Sequence, residues 1–265
     1  MVIKELVKRS LNFLVNWKAI TVVFCSALFF RYLDSFIFKY FFSNQYLSNL
    51  AASSVTGFAI PSAVIDFLYA LIKPLFYIAL LAIAFDFWNK KSSRLDAILT
   101  KIKSCYLALL PFYAIYFFAN IIDTFFTLSL SSLYSSSPII VYAIIRNILN
   151  YALGFAIMLV PPIIIANNYP FLTALKENFK ILKLHGKQWF SVFLIIAVIS
   201  IVSMSPLYID IGLSLLNHAK NPSTLPHPEP LLNMAQFIMD AISSLLTAAI
   251  LTGYYLKIRE ANKTL

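Results

Sequence analysis

Apolar residues run through this chain in six long blocks, each separated from the next by a short polar or basic stretch. The blocks cover about 19–38, 61–87, 105–128, 139–166, 188–211 and 231–256, and each reaches the roughly 20 residues an α-helix needs to cross a hydrocarbon core. Three stretches between them carry a helical period instead. Over 2–16, Ile3, Leu6, Val7, Leu11 and Leu14 share a face, with Lys4, Glu5, Lys8 and Arg9 outside it. Over 93–104, Leu95, Ile98, Leu99 and Ile102 do the same beside Arg94, Lys101 and Lys103, and Ser93 with Asp96 gives a capping-box-like start. Over 171–185, Leu172, Leu175, Phe179 and Leu182 recur beside a stripe of Lys176, Lys180 and Lys183 that continues to Lys187. Helices of this kind lie in the interface plane, with lysine stems reaching toward anionic headgroups. The unit of basic helix, span, turn and span therefore occurs three times. The expected fold is all-α and polytopic, six transmembrane helices in three hairpins forming one integral membrane domain over 1–265.

The stretch Met158–Phe193 is the most informative. Pro161-Pro162 kink or thin the end of the fourth block, and Pro170 stops a helix running through Asn167-Asn168-Tyr169. Gly186 is placed to cap the basic helix, and Trp189 marks the level at which the fifth span enters the bilayer. Carried by these prolines, Ala174-Leu175, Phe179, Ile181, Gly186 and Trp189, residues 159–193 resemble bacterial six-span membrane proteins related to the membrane domain of glycerophosphodiester phosphodiesterases. Asn178 stands where such proteins often have serine. The resemblance implies a membrane module and transfers no active-site residue, because the catalytic domain some of those proteins carry has no counterpart here.

Composition supports the same class. With 60% hydrophobic residues, 12% charged and a mean hydropathy of +0.80, the chain cannot cover a soluble fold with polar surface. A net charge of +10 raises nucleic acid as a partner, but the basic residues cluster at the ends of apolar blocks, as the positive-inside rule describes. Of 21 Lys and Arg, only Arg31, Lys39, Lys73, Arg146 and Lys220 fall elsewhere. Both termini are thus expected to be cytoplasmic and the first span to be retained, with no cleavage pattern after it. Cys25 and Cys105 are isolated, and His185, His218 and His227 lie in linkers without a second ligand, so neither a disulfide framework nor a metal site is expected. No hydrolase elbow, zinc-protease helix, phosphate loop or dinucleotide fingerprint is present, and no cofactor is expected.

Charges inside spans are costly and mark either function or structure. At ~1.5 Å per residue Arg31 lies about 20 Å above Lys18, and Asp34, Lys73, Asp123, Arg146 and Asp240 reach comparable depths in the outer half. Such a layer could hold an ion, a polar solute or a lipid headgroup in an outward vestibule. The preferred reading is that it locks the helices by mutual ion pairing, Arg31 and Asp34 being one turn apart. Pro74, Pro111, Pro161-Pro162 and Pro206 break spans two to five, through either substrate-lining breaks or packing kinks. The expected role is a non-catalytic membrane-organising or lipid-interacting protein of a bacterial inner membrane, with Lys176, Lys180, Lys183 and Lys187 on anionic lipid. A small permease or exporter is the alternative, and a lipid-modifying enzyme ranks third.

Overall fold

The computed structural model describes residues 2–43, 56–131, 136–206, 209 and 230–263, and among them the chain is helical without a strand. Most of the turns at the less basic ends of the spans, together with Asp210, His218, His227 and the side chain of Asp123, lie outside the described residues. In chain order the helices are α1 (Val2–Phe13), α2 (Trp17–Ser43), α3 (Thr56–Trp88), α4 (Leu95–Ser131), α5 (Ser136–Ile157), α6 (Val160–Asn167), α7 (Phe171–Ser203) and α8 (Pro230–Lys263). Among the described residues six segments are long and apolar enough to cross a bilayer: Trp17–Ile37, Ala63–Trp88, Leu95–Ile122, Ile148–Asn167, Phe171–Ser203 and Met234–Asn262. The chain is a multi-pass membrane protein.

It packs as two compact units, one of Met1–Ala27, Ile83–Ser92 and His185–Leu265, the other of Leu28–Ala82 and Ser93–Leu184. In the first, α1 lies against α8. Leu6, Ser10 and Phe13, at i, i+4 and i+7, are fully buried, whereas Leu11 is half exposed. The packed face of α1 is thus rotated from the stripe of Ile3, Leu6, Val7, Leu11 and Leu14. Gly253 on α8 explains the choice. A Cβ there would collide with the Trp88 indole and come within 2.8 Å of Leu6 Cδ1, so the missing side chain is what admits both groups. The indole cannot retreat freely, since Trp88 Nε1 donates to the Ala249 carbonyl at 2.8 Å. At the edge of the contact Lys257 Nζ bonds Glu5 Oε2 at 2.9 Å and holds that carboxyl below the usual glutamate range. Trp189, fully buried, packs its ring on Tyr254 with centroids 5.5 Å apart.

In the second unit aromatic side chains join the helices. Phe30 of α2 meets Tyr69 of α3 at 4.4 Å between centroids and Phe76 at 5.9 Å, while Tyr77 and Tyr113 bring α3 to α4 at 6.3 Å. Tyr106 Oη donates to the Leu71 carbonyl at 2.9 Å. Pro74, which has no N–H, leaves the Ala70 carbonyl without its helical donor, and the Tyr106 bond ties α4 to α3 at the next carbonyl of that loosened turn.

The basic stretch 93–104 and the third span form one helix, α4, of 37 residues, since no glycine or proline interrupts Thr100 to Cys105. Span four breaks between α5 and α6, and Pro161 and Pro162 occupy the first turn of α6, where their missing N–H groups are unneeded by that helix. Asn168 ends α6 in the left-handed conformation (φ 55°), its N–H returning to the Ile164 carbonyl at 2.7 Å. Gly186 does not cap a helix. No glycine among the described residues has positive φ; within α7 two helices meet across a kink one residue earlier, at His185, whose φ of −123° and ψ of 22° are not helical.

Gly253→Ala is expected to destabilise the protein by about 1–3 kcal/mol through overpacking against Trp88 and Leu6, measured by thermal unfolding in detergent.

Candidate functional site

A helix leaves its last carbonyls without an intrahelical donor, and near hydrocarbon they must be met by protein. Three helix ends are closed by side chains from the three basic stretches. Arg9 of α1 reaches the end of α3, where Nη2 donates to the Trp88 carbonyl at 2.7 Å and to Phe87 at 3.4 Å, its guanidinium 4.4 Å from the Trp88 ring centroid. Lys101 of α4 reaches the end of α6, its Nζ on the Ile165 carbonyl at 2.9 Å and on Asn168 Oδ1 at 3.0 Å. Cys105 Sγ donates to the same Asn168 Oδ1 at 3.3 Å. Asn178 of α7 donates through Nδ2 to the Ala156 carbonyl in the last turn of α5. The two cations also sit at the negative ends of the helix dipoles.

One register underlies the first two closures. Leu6, Arg9 and Phe13 in α1, and Ile98, Lys101 and Cys105 in α4, occupy i, i+3 and i+7, with the outer members buried and the cation between them. In α7 Ala174 and Ile181 are the buried pair, and Asn178 lies between them at i+4. Counting charges treated Arg9 and Lys101 as two more cytoplasmic basic residues. Their signal in the sequence is an apolar residue three before and another four after each cation.

The opposite faces of these stretches are open. On α7, Lys176, Lys180, Lys183 and Lys187 are all exposed, and so are Leu172 (68%) and Phe179 (51%). At 100° per residue Leu172, Lys176, Phe179 and Lys183 share one side, while Ala174, Asn178 and Ile181 share the other. Leu11 with Lys4 and Lys8, and Leu95 and Leu99 with Arg94 and Lys103, are likewise exposed.

The layer of charges inside the spans is organised by hydrogen bonds to neutral groups as well as by charge. Asp34 Oδ2 accepts the Tyr69 hydroxyl at 2.7 Å, because the packing of Tyr69 on Phe30 brings the phenol to it. Asp34 Oδ1 is buried without a partner. Arg31, one turn away, is exposed and does not pair with Asp34. Lys73 places Nζ 5.6 Å from the Tyr69 ring centroid, and Asp66 lies within electrostatic reach of Lys73 and Asp34. Asp240 is exposed and accepts Gln236 Nε2 at 2.8 Å, and Arg146 is exposed. Lys257 pairs with Glu5 and Arg94 with Asp96 at 3.3 Å, at the basic ends of the spans. Among the described residues no group of His, Cys, Asp and Glu is arranged to hold a metal.

No family model, curated protein or solved structure matches this chain.

Replacing Arg9 by methionine, which keeps the length but donates nothing, is expected to cost about 1.5–3 kcal/mol, the range for hydrogen bonds to a charged group. Arg9→Lys should recover part of it, as read by denaturation in mild detergent.

Proposed function

We propose that this chain is a non-catalytic protein of a bacterial inner membrane, with both termini cytoplasmic, that organises or interacts with anionic lipid through its basic stretches. The supporting observation is the two-sided character of residues 171–184, whose buried face of Ala174, Asn178 and Ile181 leaves Leu172 and Phe179 exposed beside Lys176, Lys180 and Lys183. Large apolar side chains beside lysines match the boundary between acyl chains and headgroups, where leucine and phenylalanine insert and ammonium groups meet phosphate. Orientation follows from the same charges, since basic residues favour the cytoplasmic side. A relation to the six-span proteins associated with glycerophosphodiester phosphodiesterases, resting on residues 159–193, belongs to this proposal.

Each lysine near an anionic surface contributes about 1 kcal/mol. Changing Lys176, Lys180, Lys183 and Lys187 to glutamine should therefore abolish the extra stability of the protein in nanodiscs containing acidic lipid, relative to neutral ones. Equal stability of the unsubstituted protein in both lipids would refute the lipid role.

A second reading, a small permease or exporter, is favoured by one observation, the Asp34 oxygen buried without a partner inside a span. On that reading Asp34→Asn stops solute flux in proteoliposomes while the thermal midpoint holds. Loss of stability with unchanged flux per folded molecule identifies a structural carboxylate instead.

A further inference from the structure

We propose that the break between α5 and α6 binds a small monovalent cation of sodium size. α5 ends at Ile157 and α6 begins at Val160. Pro161 and Pro162 have no N–H, so the carbonyls of Ile157 and Met158, four residues before them, receive no helical hydrogen bond from those positions. The end of α5 also carries the negative pole of its helix dipole.

Asn178 brings a further oxygen to the same place. Its side chain is fully buried (0% exposed), and donation from Nδ2 to the Ala156 carbonyl fixes which end of the amide faces that strand of the break. The other end, Oδ1, is buried with no hydrogen-bond partner. An unpartnered Asn178 Oδ1 thus stands at the end of α5, where the chain continues into the Ile157 and Met158 carbonyls from which the prolines withhold donors, and all three oxygens are uncharged acceptors. Buried acceptors of this kind need a donor or a cation.

Neither Lys101 nor the lysines of α7 supply one, for Lys176, Lys180 and Lys183 are on the exposed side of that helix. Lys101 is held by Ile165 and Asn168 at the far end of α6, about 12 Å away along a helix of eight residues. A set of neutral oxygens suits a monovalent ion, because a divalent ion needs carboxylates to offset its desolvation. Unwound carbonyls at a helix break are the usual partners for sodium within a membrane. The site faces the interior side of α7, opposite the lysine stripe, and goes beyond the lipid reading.

The test is thermal unfolding of the purified full chain in uncharged detergent, with sodium chloride or N-methyl-D-glucamine chloride at equal ionic strength. Saturating sodium should raise the midpoint by about 5 °C. Pro162→Ala, which returns an N–H to the Met158 carbonyl, should fold and lose that rise, as should Asn178→Leu if it folds. The lysine-to-glutamine variant should keep it, which separates this site from the lipid surface. Equal midpoints in the two salts overturn the proposal and leave the break as a hydrated kink. A rise that survives in Pro162→Ala overturns it too, by placing the ion elsewhere.

Discussion

Carbonyl groups at the ends of apolar helices are the constraint on which this structure turns. Hydrocarbon offers them no donor, so a helix that stops near it must be closed by another part of the chain. Arg9 does this for α3, Lys101 for α6 and Asn178 for α5. The basic stretches therefore have two faces with different tasks. One carries a donor into a helix end between buried apolar neighbours, and the other leaves lysines and large apolar residues open. A charge count registers both kinds of cation alike, although Lys101 is spent on the fold and Lys176 is not.

The six spans were legible because length and apolarity alone decide them, and the helix break at Pro161-Pro162 because a missing N–H acts locally. What depended on rotation about a helix axis was not legible. The period of α1 allowed several overlapping apolar faces, and the one that packs was selected by the absence of a side chain at Gly253 on α8, far away in sequence. Gly186 failed as a left-handed cap for a related reason: a glycine permits a left-handed turn without requiring one, and the two helices of α7 meet instead at a non-helical His185.

The charged layer teaches a similar lesson. Arg31 and Asp34 have the spacing of an intrahelical pair, yet Asp34 is engaged by Tyr69 because the stacking of Tyr69 on Phe30 delivers a hydroxyl at 2.7 Å. A partner on a neighbouring helix, held in place by ring packing, prevails over one on the same helix that must give up side-chain freedom to pair. That choice cannot be read from the spacing of Arg31 and Asp34. Asn178, by contrast, could be suspected in the sequence as a polar residue among the apolar positions of its helix, with the opened Ala156 carbonyl as the missing half of the explanation.

Hydrogen–deuterium exchange along Val160–Asn168 tests helix closure most directly. If the Lys101 ammonium secures the end of α6, the amides of that segment in Lys101→Met exchange faster than in the unsubstituted protein, while Lys176→Gln leaves them unchanged. Unaltered protection in Lys101→Met would contradict closure by side chains from the basic stretches.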